Sequence, residues 1–303
     1  LVVFGFIFQE KIINSVSNEI NQSLNSEIKV DALEFSFLKH FPKASVSLNH
    51  ITGFESSNYA EVGDTLFYFE ELALSFNILD VIQGKYILNS ITVTDGFVNL
   101  EIDQAGQENY LIIKSDSSDT ANFFLNLEEV SLKNCEVKFR DFRTENQYAF
   151  DFPYLKANGT FRSTHITTSL FGQTKVNKLI LENTPYLTNE SGQIDIGVKF
   201  DLEKGIFQVS RGFINLRNKY QFGVVGHSSN SQYDYTFTAE KLDLDQAEPL
   251  IPRKHITFID GYLLNGTANL SVKIKKNRKD NHPLINGTFD VTKGSFNLKK
   301  SGL

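Results

Sequence analysis

Residues 72–102 read LALSFNILDVIQGKYILNSITVTDGFVNLEI, and the fold turns on how this stretch is taken. Leu72, Leu74, Phe76 and Ile78 fall on every second position, with Ala73, Ser75 and Asn77 between them. A strand shows residues i and i+2 to the same side, so this segment has one apolar face. A second strand is expected over residues 87–94 and a third over residues 97–103, separated by Asp95-Gly96. Asp-Gly between alternating runs signals a two-residue hairpin turn, because such a turn needs positive φ. That hairpin predicts Val93 opposite Val98 and Ile91 opposite Leu100 on one face, with Thr92, Asn99 and Glu101 toward water. A sheet with one dry side follows, and the question is what covers it.

The totals narrow the answer. The chain has 303 residues, 30 of them basic and 36 acidic, for a net charge of −6. A nucleic-acid binder needs a basic surface to displace counterions, so no nucleic-acid partner is expected. Hydrophobic residues make up 41%, enough for a folded core. Phe is unusually common at 27 residues and Trp is absent. Cys135 is the single cysteine, which excludes an internal disulfide and any multi-cysteine metal site.

Leu1, Val2, Val3, Phe4, Phe6, Ile7 and Phe8 make an apolar opening, too short by itself to span a bilayer of ~30 Å. It reads as the end of an N-terminal membrane anchor over residues 1–9. Residues 10–29 follow as an amphipathic helix, with Ile12, Ile13, Val16, Ile20, Leu24 and Ile28 on one stripe. Such a stripe commonly packs over the end of a sheet. Lying on a membrane surface is the alternative, weakened by having only Lys11 and Lys29 as nearby cations. At the other end Phe296 and Leu298 open a further alternating run, so the chain is expected to be the N-terminal part of a longer protein.

From residue 30 to 303 the chain is expected to be one repetitive β domain. Val137 and Phe139 alternate with Glu136, Lys138 and Arg140, and Ile194, Ile196 and Val198 with Asp195, Gly197 and Lys199. Phe237, Leu270 and Val272 sit in similar runs. This pattern predicts antiparallel strands with one face in water. Asn158-Gly159-Thr160, Asn265-Gly266-Thr267 and Asn286-Gly287-Thr288 form a loose repeat. Two readings stand: Asn-Gly turns supplying positive φ, or glycines on the inner face leaving room there.

No catalytic chemistry is legible. The six histidines are scattered without metal-ligand spacing, and no nucleophile elbow or phosphate loop occurs. Glu70-Glu71 and Glu128-Glu129 are neighbours on strands, and neighbours point to opposite faces. Asp243 and Asp245 share a face, which reads as a solvated strand. The expectation is a non-enzyme with no cofactor and no metal.

A dry sheet face can be hidden by a second sheet, by closure into a barrel, or by curling into an open trough filled with ligand. Some 18–20 strands at ~4.8 Å would extend about 90 Å, too long for one compact sandwich. The helix and anchor-like start argue against a lipid-facing barrel. The trough remains: a mainly β fold, a long curved antiparallel sheet making an open hydrophobic groove, with an N-terminal amphipathic helix. Its lining is expected to be Leu72, Leu74, Phe76, Ile91, Val93, Val98, Leu100, Val137, Phe139, Ile194, Ile196, Val198, Phe237, Leu270 and Val272. Such a lining solvates acyl chains without directional bonds.

The succession FPKASVSL at 41–48, LALSF at 72–76, ILDVIQG at 78–84, residues 91–100 and residues 103–110 resembles the N-terminal region of AsmA-family proteins, in the Leu/Phe-rich flavour of Bacteroidota. KLDL at 241–244 and IDGYLLNG at 259–266 look like the family's strand repeats. The resemblance covers nearly the whole chain and rests on pattern, not on a catalytic signature. It implies an inner-membrane anchor and a long periplasmic β-groove of the bridge-like lipid-transfer type. Phospholipid would move along that groove toward the outer membrane, and the chain would meet the inner membrane and outer-membrane proteins. TamB-type members imply the alternative, a structural or assembly partner of an outer-membrane protein machine.

Overall fold

The computed structural model describes residues 24, 26–36, 43–56, 59, 64–77, 79–80, 83, 87–112, 124–162, 164–181, 183–217, 219–229, 232–247, 262–277 and 282–298. The apolar opening, and the helix expected over residues 10–29 up to residue 23, lie outside them. At its end Ile28 is in a strand and not a helix.

The protein is mainly β, and its described residues form fifteen strands in an open, mixed sheet. It packs as two compact units, Leu1–Arg162 and Ser163–Leu303. Unit 1 holds β1 (Ile28–Lys29), β2 (Ala32–Ser36), β3 (Lys43–Phe54), β4 (Thr65–Asn77), β5 (Ile87–Ile102), β6 (Phe124–Asp141) and β7 (Asn146–Phe161). Its strand order is β1-β3-β4-β5-β6-β7, and β2 shares the edge of β3 with β1. Unit 2 holds β8 (His165–Leu181), β9 (Thr184–Leu187), β10 (Glu190–Asp201), β11 (Ile206–Leu216), β12 (Tyr220–Ser229) and β13 (Gln232–Asp243). It continues with α1 (Leu244–Ala247), β14 (Tyr262–Lys276) and β15 (Leu284–Leu298). Its order is β8-β10-β11-β12-β13-β14-β15, with β9 on β8.

Two expectations need correction. The antiparallel expectation fails at one step, because β5 and β6 run parallel, pairing Val93 with Leu132 and Val98 with Val137. A parallel neighbour needs a crossover of a dozen or more residues, and residues 103–123 supply that length. The second correction concerns Asp95-Gly96. There is no hairpin there: β5 is one strand of 16 residues. Asp95 does take positive φ, at 50°, but in mid-strand. Val93 therefore does not face Val98. Its partners are Leu72 on β4 and Leu132 on β6, while Val98 pairs Phe67 and Val137.

The positive φ belongs to a feature that runs across the whole of unit 1. One rung pairs Leu48, Leu72, Val93, Leu132 and Leu155, strand by strand from β3 to β7. The next apolar rung pairs Ile51, Phe69, Gly96, Cys135 and Phe152. Within each strand these two rungs are three residues apart, not two. Two polar or surface residues therefore sit between them: Asn49-His50, Glu71-Glu70, Thr94-Asp95, Lys133-Asn134 and Tyr154-Pro153. His50, Asp95 and Asn134 all have φ near 50°, and Asn, Asp and His are the non-glycine residues that tolerate this region best. Pro153 has no N–H and fits where the ladder is interrupted. Side chains tie the row together, with His50 Nε2 3.1 Å from Glu70 Oε2 and Asn134 Nδ2 donating to Asp95 Oδ1 at 3.0 Å.

The loop after β5 is pinned by Asn109, which is fully buried. Its Nδ2 donates to Glu55 Oε1 at 2.8 Å and to the Asn99 carbonyl at 3.0 Å. Its Oδ1 accepts the Glu101 N–H at 2.8 Å. Nearby, burial first and Glu101 and Glu55 next push the Tyr59 hydroxyl up to about 12. Asn109→Ala removes three hydrogen bonds of one buried side chain at once. The expected loss is about 2–4 kcal/mol in urea unfolding, against less than about 0.5 kcal/mol for exposed Gln104→Ala.

Candidate functional site

Residues directly opposite one another in a ladder share a face, so the register defines which side chains lie together. In unit 1 the expected lining residues Leu72, Leu74, Phe76, Ile91, Val93, Val98, Leu100, Val137 and Phe139 all fall on one side. Leu74 pairs Ile91, Val98 pairs Val137, and Leu100 pairs Phe139. Phe67, Phe69, Leu72 and Leu74 pack with Val46, Leu48, Ile51 and Phe76, which places both arms of β3 and β4 on the same face despite the three-residue step. Val46, Leu48, Ile51 and Phe76 are buried. Cys135 also lies on this side, and burial pushes its thiol up, so it is an apolar filler and a poor nucleophile.

In unit 2 the remaining expected residues also share a side. One rung runs Thr168, Val198, Val209, Gly226, Tyr235, Ile274 and Ile285 from β8 to β15. Another runs Gly172, Ile194, Ile214, Phe222, Ala239, Leu270 and Phe289. Ile196 pairs Leu170, and Phe237 pairs Val224 and Val272. The fifteen side chains that alternation proposed as lining thus sort into two coherent faces, one per unit. Sequence reading missed Val46, Leu48, Ile51, Phe67, Phe69 and Leu132 as members; the same period-2 signal, read across the three-residue step, finds them.

The glycine repeat resolves differently in each copy. Gly159 and Gly287 lie within β7 and β15 and do not mark turns. Gly287 falls on the apolar side opposite Val272. Gly266 takes φ 118° within β14 where the register slips against β15.

Burial separates the two faces. In unit 2, Tyr220, Ala239, Leu242 and Ala268 form a small core, with Leu244 of α1 packed against it. Beyond it the apolar side opens to solvent: Phe237 is 41% exposed, Phe289 56% and Ile285 61%. The opposite side is wet and carries the ion pairs, with Phe171, Phe213 and Val225 exposed among them. Arg211 contacts Asp195 at 2.6 Å, Lys219 contacts Asp243 at 2.7 Å, and Lys273 contacts Asp234 at 3.2 Å. Lys219 holds the Asp243 carboxyl below the usual range. Such exposed pairs add little stability, but they mark which side faces water.

Among the described residues no cluster of three or more His, Cys, Asp or Glu is placed to hold a metal. Also among them, no helix is long and apolar enough to cross a membrane. A comparison with protein-family models finds no match, and neither does a comparison with curated protein sequences.

The two faces predict opposite responses to truncation. Leu48→Ala deletes a buried side chain and should cost about 2–5 kcal/mol. Phe289→Ala deletes a side chain already more than half in water. It should cost less than about 1 kcal/mol. Equal losses in a denaturant titration would mean that the unit 2 face is an ordinary core.

Proposed function

We propose that this chain is a non-enzymatic carrier of phospholipid, whose acyl chains lie on the apolar side of the sheet. The observation that carries the reading is the apolar side of unit 2, rung after rung of Phe, Ile, Leu and Val, with Phe237, Ile285 and Phe289 open to solvent. Monomeric soluble proteins rarely leave such a patch uncovered without a use for it. An acyl chain gains about 0.8 kcal/mol per buried CH2. A floor with few polar groups, Thr168 and Tyr235 among them, keeps that gain similar from step to step, which favours sliding over trapping. The opposite side, with its ion pairs, suits an aqueous compartment.

The resemblance to AsmA-family proteins supports the wider setting. In that setting the chain is held at the inner membrane by an N-terminal anchor at residues 1–9 and by an amphipathic helix that starts at residue 10 and ends before β1 (Ile28–Lys29). The sheet then forms a curved, open hydrophobic groove in the periplasm of a Gram-negative bacterium, and phospholipid travels along it toward the outer membrane. This is a role in outer-membrane biogenesis that needs no cofactor.

Mass spectrometry of organic extracts from the purified protein tests the reading. Phospholipid is expected at one or more molecules per chain. Phe237→Glu with Phe289→Glu should remove most of it while circular dichroism and melting temperature hold, since both side chains are exposed in the native state. A lipid-free wild-type protein, with outer-membrane integrity unaffected by the double variant, would favour the assembly role of TamB-type proteins instead.

A further inference from the structure

We propose that the row of left-handed residues in unit 1 is a crease, which folds that sheet toward its apolar side and makes the side a trough. The trough's contents depend on the function proposed above; the crease itself does not.

The path length along each strand sets the direction of the fold. Between the rung of Leu48, Leu72, Val93, Leu132 and Leu155 and the rung of Ile51, Phe69, Gly96, Cys135 and Phe152, each strand places two residues on the outer side and none on the inner side. An extra residue on one side bends a strand, as in a β-bulge. The longer path is outside, so the apolar side is the concave one. Because the steps are in register from β3 to β7, the individual bends add along one line across the sheet. The edge strand agrees: β1 and β2 break at Val30-Asp31, beside His50, and Asp31 Oδ2 lies 3.8 Å from His50 Nδ1.

Exposure agrees with that sense of bending. His50, Glu70, Asp95, Lys133, Asn134, Pro153 and Tyr154 on the outer side are exposed. Leu48, Ile51, Val93 and Cys135 on the inner side of the same row are buried. The inner side is also crowded at the line itself. A Cβ added at Gly96 would stand 2.0 Å from the Tyr68 carbonyl oxygen and 2.7 Å from the Phe69 ring. Glycine is therefore required at that inner position by space. Outside, the Asn134–Asp95 hydrogen bond and the His50–Glu70 contact link neighbouring bends. These are positioning residues that hold the angle.

The test measures one strand across the line. In the full chain carrying Cys135→Ala, nitroxides are placed at Ala149→Cys and Asn158→Cys, on either side of Pro153 in β7 and short of the register shift beyond Asn158. A straight strand would separate these positions by about 30 Å at ~3.3 Å per residue. Pulsed dipolar spectroscopy is expected to give a distance several ångströms shorter. A distance at the straight-strand value overturns the crease, whether or not phospholipid is bound. A short distance in a lipid-free protein keeps the crease and rejects the carrier function. A second comparison uses Asp95→Gly with Asn134→Gly against Asp95→Val with Asn134→Val. Glycine accepts φ near 50° and should keep the short mean distance, broadened by loss of the outer contacts. Valine resists that φ and should lengthen the distance or lower the melting temperature by several degrees. Valine variants that match wild type in both respects would also overturn the proposal.

Discussion

Every long strand in this protein has to gather its apolar residues on one side, and that constraint organises the rest. A flat strand meets it with strict alternation. Over the 16 residues of β5 or the 18 of β6 the chain does not hold strict alternation; it steps by three at the row, and again earlier, from Leu88 to Ile91 in β5 and from Leu127 to Val130 in β6. A step of three would put the second half of the strand's apolar residues on the wrong side unless the backbone turned over locally. His50, Asp95 and Asn134 do this with left-handed φ. Their side chains lose least in that conformation among residues with a Cβ. Since neighbouring strands must agree on which side is dry, a step in one requires a step in the next, and the row follows.

The same constraint explains where polar groups are placed. Next to the row, Ser47 donates to Glu71 at 2.7 Å, Lys156 meets Glu129 at 2.7 Å, and Lys133 and Tyr154 occupy one rung, all away from the apolar side. Asn109, buried at the loop after β5, is bonded through both its amide nitrogen and its amide oxygen. An unbonded amide in that position would cost more than the loop it secures could return. The charged side of unit 2 is organised in the same way, with ion pairs between adjacent strands and no acid or base among the rungs that carry Ile194, Ile196, Val198 and Phe237.

One sequence signal, Asp95-Gly96, is right in kind and wrong in place. Asp95-Gly96 announced a positive φ, and one is there. The inference that it closes a hairpin assumed that positive φ in an alternating context means a turn. A sheet with aligned steps offers a second use for the same conformation, one that a single strand cannot reveal. The polar doublets NH at 49–50, EE at 70–71, TD at 94–95, KN at 133–134 and PY at 153–154 were present all along. Each interrupts an apolar alternation by one extra residue, and their recurrence was the available signal. The expected antiparallel order at β5 and β6 failed for a different reason. Alternation is the same in a parallel and an antiparallel ladder when one face is wet, so pattern alone cannot distinguish them.

The sequence by itself determined the strand habit, the identity of the apolar side chains, the predominance of β structure and the separation of a dry side from a charged one. These depend on local spacing, which the period of a strand translates directly into faces. Only the tertiary structure decided that β5 runs through Asp95 without turning, that β6 lies parallel to it, and that the three-residue steps of β3 to β7 fall on one line. Those outcomes depend on which strand lies beside which and in what register. Register is set by cooperative pairing across the sheet, between residues as far apart in the chain as Leu48 and Leu155.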